Sequence, residues 1–134
     1  MPSVFAGSER AMEGKSEHES RLPFLWPGSC DEEKERDEMT AWYKTLIALR
    51  HKHEALSSSK IDFFESENPH VLIYSRGNEK GNRVLVILNT SETNQSTRLP
   101  TEELLENLLE GKKEQYTKGE KKEIPSQSLA LFLY

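Results

Sequence analysis

The clearest periodic stretch runs from residue 31 to residue 53. Met39, Trp42, Tyr43, Leu46, Ile47 and Arg50 recur at the three- and four-residue steps of a helix, so one face is apolar. Glu32, Glu33 and Glu35 fall near its start, and Arg50, His51, Lys52 and His53 fall at its end. That is the polarity a helix dipole favours, and Ser29 or Asp31 can cap the first turn. From residue 60 the period shortens to that of a strand. Strands are predicted over 60–66, 71–75, 84–88, 95–99 and 129–134, with turns at Glu67-Asn68-Pro69 and Gly77 to Gly81. Residues 104–109 fit a short helix or a strand, Tyr116 marks a weak strand, and the mixed charges of Lys112 to Glu123 fit a solvated hairpin. Short strands at this spacing predict an antiparallel β-sandwich.

Two strands, 84–88 and 129–134, are apolar at consecutive positions. A sandwich strand with one solvated face alternates, so both faces of these two are expected to be covered. The 31–53 helix, docked through Trp42, Leu46 and Ile47, or a partner would supply the cover. Residues 1–30 hold no sustained period. Met1 to Ala6 is a short apolar run that fits a strand, and Arg21 to Gly28 is a proline-interrupted loop. The fold class is therefore mainly β: an irregular segment, one long helix, then a sandwich. The expected boundary separates residues 1–56 from residues 57–134.

Composition sharpens this. The chain has 134 residues, and its 34% of apolar and aromatic types with 31% charged residues make it lean in core material. The length falls well below the roughly 250 residues of a complete (β/α)₈ barrel. A formal charge of −5 argues against a nucleic-acid partner. No run approaches a membrane span, and Met1-Pro2-Ser3-Val4 lacks the basic and apolar regions of a secretory signal. The single cysteine, Cys30, makes no internal disulfide and has no neighbouring base to activate it. A cytoplasmic protein without metal or cofactor is the expectation. His51 and His53 lie two apart on the helix, point to different sides, and do not make a metal pair.

The order of motifs resembles the end of an α-amylase superfamily chain, glycoside hydrolase family 13. Pro2 to Glu9, continued by Met12-Glu13-Gly14, resembles the "PxxYYGxE" segment after the eighth barrel strand. Arg21-Leu22-Pro23-Phe24-Leu25-Trp26 resembles the "RxPMxW" loop, and Trp42 to His51 the "FYKxLIxLR" eighth barrel helix. Val84 to Ser91, reading VLVILNTS, and Ser128 to Tyr134 match strands of the C-terminal β-domain. Phe5-Ala6 stands where the family has two tyrosines, and Arg10-Ala11 where a small or apolar pair is common. The nearest flavour is neopullulanase, cyclomaltodextrinase and maltogenic amylase.

The resemblance implies a remnant of the last barrel strand, loop and helix, followed by a C-terminal sandwich. It also implies an α-glucan substrate for the parent enzyme, and catalytic carboxylates on earlier barrel strands that this chain does not contain. Glu9 would be a structural residue of the barrel rim. Glu32-Glu33 and Glu102-Glu103-Glu106 read as solvated faces. Two residues are candidates for substrate binding. Arg21 offers directed hydrogen bonds to sugar hydroxyls, or a salt bridge that fixes its loop. Trp26 offers an apolar ring face to a sugar, or an anchor for the loop.

The expected function is thus a C-terminal, cleft-shaping part of an α-glucan-cleaving hydrolase, inactive alone. It would depend on a missing N-terminal barrel, or form a homodimer through residues 1–53. The rivals are a free-standing carbohydrate-binding sandwich and an interaction subunit. The first rival requires exposed aromatics on a strand face or loop tip, whereas Phe63, Phe64, Tyr74 and Phe132 lie within apolar strands and are expected in the core.

Overall fold

The computed structural model describes residues 3–14, 16, 18, 23–24, 26–28, 33–77, 82–101 and 104–134. The chain divides into two compact units, Met1–Ala48 and Leu49–Tyr134.

In the first unit, a 3-10 turn, Ser8–Arg10, precedes helix α1, Glu33–Lys52, which runs on into the second unit. Gly7 opens the turn at φ 96°, a left-handed conformation that favours glycine, and a Cβ there would press on the Met12 side chain, with Sδ at 2.7 Å. Residues 3–6 form no strand. A strand needs a neighbour for its N–H and C=O groups, and no strand is present among the described residues of this unit. The expected caps Ser29 and Asp31 lie outside the described residues. On the apolar stripe of α1, Tyr43, Leu46 and Arg50 are half-buried. No helix residue is buried, and Met39, Trp42 and Ile47 are exposed.

The second unit is an all-antiparallel sandwich. A 3-10 turn, Glu54–Ser57, precedes β1 (Ile61–Phe64), β2 (Val71–Gly77), β3 (Arg83–Asn89) and β4 (Gln95–Arg98). Then follow β5 (Leu104–Asn107), β6 (Lys112–Gln115), β7 (Lys121–Ile124) and β8 (Leu129–Leu133). One sheet has the order β1-β2-β3-β8-β5-β6, and the other pairs β4 with β7. Val71, Ile73, Leu85, Ile87 and Phe132 project from the larger sheet onto Leu99 and Ile124, with Leu105 and Tyr116 completing the core. Residues 104–107 are thus strand rather than helix. The charged run 112–123 is no hairpin: β6 pairs with β5 in the large sheet, and β7 with β4 in the small one. Tyr116, between them, is buried at the point where the chain crosses between sheets.

The second apolar face of β3 is also covered. Val84, Val86 and Leu131 are buried, and the turn Glu54–Ser57 packs on β2 and β3 with Ala55 inward. Arg50 donates to Leu56 O and Arg76 Nε donates to Ser58 O at 2.9 Å, fixing this turn. The cover therefore includes a short segment that periodicity alone did not single out. At the end of β3, Asn89 is a buried polar hub. Its Nδ2 donates to Thr93 O, Ile124 O and Pro125 O, while its Oδ1 accepts from Ser91 N and Ser91 Oγ. The residue that ends the VLVILNTS motif's apolar run thus ties the β3–β4 loop to the β7–β8 turn.

Candidate functional site

Arg10 organises the first unit. It is 3% exposed, with Nη2 at 2.8 Å from Glu33 Oε1 and Nη1 at 2.7 Å from Asp37 Oδ1. Glu33 and Asp37 are four apart, so they share one face of α1. The hydrogen bond it donates to Glu33, followed by that to Asp37, holds the guanidinium above its ordinary pKa against the opposing effect of burial. Arg36 Nη1 donates to Arg10 O and Ala11 O at 2.8 and 3.2 Å, and Thr40 Oγ1 lies 2.7 Å from Glu9 O. The second carboxylate oxygen of Glu33 accepts from Gly28 N at 3.0 Å. One helical carboxylate therefore fixes both the 8–10 turn and the end of the 23–28 loop.

That loop presents Trp26. The indole is 70% exposed and meets the Phe24 ring edge-on, with centroids 5.0 Å apart and planes at 67°. An edge-on neighbour steadies an aromatic ring. The exposure goes against the reading of Trp26 as a core anchor. Arg21, the other candidate, lies outside the described residues, as does Cys30. Glu9 accepts a hydrogen bond from Gly7 N at 3.0 Å, a loop-closing role. Glu33, expected on a solvated face, is instead an internal partner of Arg10, whereas Glu106 pairs with Lys113 at 3.3 Å. Glu32, Glu102 and Glu103 lie outside the described residues. Among the described residues no three His, Cys, Asp or Glu side chains are grouped to hold a metal ion. No helix among them is long and apolar enough to cross a membrane.

In the second unit two aromatic groupings stand out. Phe63 was expected in the core but is 68% exposed, tilted 49° against Tyr74 at 5.7 Å between centroids. The register β1–β2 places these two directly opposite each other, on the face away from Phe64 and the core. The second grouping is internal. Tyr116 donates to Glu114, Lys122 donates to Tyr116, and Lys122 Nζ lies 4.7 and 5.2 Å from the Tyr116 and Phe132 ring centroids. Burial first, then the bond to Glu114, pushes the Tyr116 phenol well above its ordinary range. The same bond, aided by Lys122, lowers Glu114.

Sequence reasoning singled out Trp26 but missed Arg10, Glu33 and Asp37 as the scaffold behind it. The available signals were an acid pair at four-residue spacing and an arginine where the resembled family carries a small or apolar residue.

No model of a protein family matches the sequence. Over 67 residues the chain is 31% identical to an oligo-1,6-glucosidase from Heyndrickxia coagulans, a match covering 50% of this chain and 12% of that protein. Over 98 residues it is 28% identical to a cyclomaltodextrinase from a Bacillus species, covering 72% of this chain and 17% of that one. The chain thus corresponds to a minor part of the length of these curated relatives. Among solved structures, an Anoxybacillus α-amylase aligns with a TM-score of 0.74 at 19% identity, covering 96% of this chain and 27% of that one. AmyP in complex with maltose aligns at 0.67 and 18% identity, covering 78% and 22%. The trehalulose synthase MutB aligns at 0.66 and 20% identity, covering 87% and 26%. At these identities the structural matches speak for the fold. In sequence and in fold, the chain is similar to part of α-amylase superfamily proteins, as its motifs imply.

Proposed function

We propose that this chain, with its likeness to glycoside hydrolase family 13 proteins, is the C-terminal part of an α-glucan-cleaving hydrolase of the neopullulanase and cyclomaltodextrinase type. It is a cytoplasmic part that shapes the substrate cleft and does not itself catalyse. The observation that carries this reading is the exposed Trp26 on a loop braced by Glu33 and Arg10, within a chain whose relatives include a cyclomaltodextrinase. Retaining cleavage of a glucosidic bond needs two carboxyl groups about 5–5.5 Å apart across the scissile bond. The acids gathered around this loop, Glu33 and Asp37, are both committed to Arg10. What the loop supplies is an apolar ring face for a pyranose, with Arg21 as a donor to its hydroxyls.

Met39, Trp42 and Ile47, the exposed residues of the α1 stripe, form the surface on which a preceding barrel would pack. Without one, two copies of the chain pair through residues 1–53. Light scattering on the pure chain is expected to give a dimer mass. A monomer with slow amide exchange across the described residues of 1–28 would exclude that pairing.

The test of the site is binding. Maltoheptaose is expected to quench the indole fluorescence of the chain saturably, and Trp26→Ala to weaken this at least about tenfold, one aromatic stacking partner being lost. Undiminished binding in Trp26→Ala would overturn the assignment of Trp26. A second reading, the carbohydrate-binding sandwich, is favoured by one observation: Phe63 is exposed beside Tyr74 on a strand face. In that case Phe63→Ala, and not Trp26→Ala, removes the binding.

A further inference from the structure

A cavity of about 360 Å³ opens between the Glu67–Pro69 turn and the outer face of the β4–β7 sheet. That volume lies within the range of ligand pockets. Its lining is polar except for Pro69, and it is rigid. Asn68 Nδ2 donates to Gln95 Oε1 at 2.7 Å, Asn68 Oδ1 accepts from His70 N at 3.0 Å, and the β4–β7 ladder forms the opposite wall.

The charge in this wall is unusual. The register sets Arg98 directly across from Lys121, with Ser96 beside them on the same face. Like charges in directly opposed positions destabilise a strand pair unless something lies between them. Among the described residues, Glu67 is the one carboxylate lining the cavity, 3.3 Å from Arg98 Nε, in a pair 52% and 79% exposed. Arg98 is aimed by a second bond, Nη1 to Gly119 O at 3.0 Å. Lys122, Lys112 and Lys113 each have a carboxylate partner. Among the described residues Lys121 has none. The groove therefore carries one more positive than negative charge in a chain whose formal charge is −5.

We propose that this groove binds a phosphate monoester of a sugar. The phosphate lies between Arg98 and Lys121 and relieves their repulsion, and Ser96, on the same face, meets the hydroxyls of the ring. A guanidinium and an ammonium converging on one dianion give charge-assisted hydrogen bonds, the strong class. A phosphate alone fills a small part of the cavity, and the remaining polar wall calls for a polyhydroxyl body. The site lies wholly within the second unit and does not depend on the hydrolase reading.

The test is titration of the full chain with glucose 1-phosphate, followed by the amide resonances of Ser96, Arg98 and Lys121, with glucose and inorganic phosphate as separate probes. Saturable shifts at these residues are expected with glucose 1-phosphate, weaker ones with inorganic phosphate, and none with glucose. Lys121→Gln is expected to weaken binding about tenfold and Lys121→Arg to restore it. Lys121 is exposed, so the remaining spectrum serves as the check that the variants are folded. Absence of saturable shifts, or binding unchanged in both Lys121→Gln and Arg98→Gln, overturns the proposal. Equal affinity for inorganic phosphate overturns its sugar component.

Discussion

Arg10 shows how a buried guanidinium is held by the groups around it. Where the resembled family carries a small or apolar residue, this chain buries a guanidinium and surrounds it with Glu33, Asp37 and the carbonyl bonds of Arg36. Arg10→Gln removes both ion pairs, and we predict faster amide exchange at Gly28 and across residues 8–11, with the second unit unaffected. Asn89 is the equivalent in the sandwich. Its side chain serves three carbonyls and two donors while 1% exposed, so Asn89→Ala should cost about 2–3 kcal/mol, read as a lower urea midpoint. Tyr116 and Glu114 set the pH limits. The phenol is raised in the fold, so its contribution is complete below the ordinary value of 10.0 and is lost as the pH climbs beyond it. Glu114 is lowered, so its contribution is present above 4.5 and is lost as the pH falls below that. Tyr116→Phe should flatten the alkaline limb relative to the unaltered chain; superimposable limbs would show that the phenol is not the cause. None of these roles was legible as such. Burial of a polar side chain depends on what folds over it, and the sequence names the side chain without naming its partners.

Most of the elements were legible, because their signals are local. The helix, the strands at 71–75, 84–88 and 129–134, and the turn at 67–69 follow from periodicity and from proline and glycine positions. Pairing was less so. The charged stretch 112–123 has the composition of a hairpin, yet its two strands enter different sheets, because Tyr116 is drawn into the core against Phe132. Likewise the run Ile61-Asp62-Phe63-Phe64 gives two aromatics in succession, which must point to opposite faces, and only the assembled sheets decide which face is covered. Phe64 packs on the core and Phe63 does not. The matched pair of substitutions measures this. Phe132→Ala should cost about 3–5 kcal/mol, and Phe63→Ala should stay within about 0.5 kcal/mol. A large loss in Phe63→Ala would mean that its ring is covered after all.

On the scale of the whole molecule, the lean composition is divided unevenly. The main hydrophobic core lies within Leu49–Tyr134, while the described residues of Met1–Ala48 are joined by ion pairs, carbonyl bonds and the Phe24–Trp26 ring contact. Stability should therefore be graded. Amides of β2, β3 and β8 should exchange only on global unfolding, and those of 34–47 in α1 well before it. The family resemblance could be read from motifs, but the state of Trp26 could not, since ring burial depends on the packed loop. The most direct measurement is a single NMR experiment: the pure chain is incubated with maltoheptaose while the two indole N–H resonances and the sugar anomeric signals are followed together. The account predicts a saturable shift of the Trp26 indole, a still Trp42 indole, and anomeric signals that do not change with time. Growth of new reducing-end signals, or a Trp26 resonance indifferent to the sugar, would contradict it.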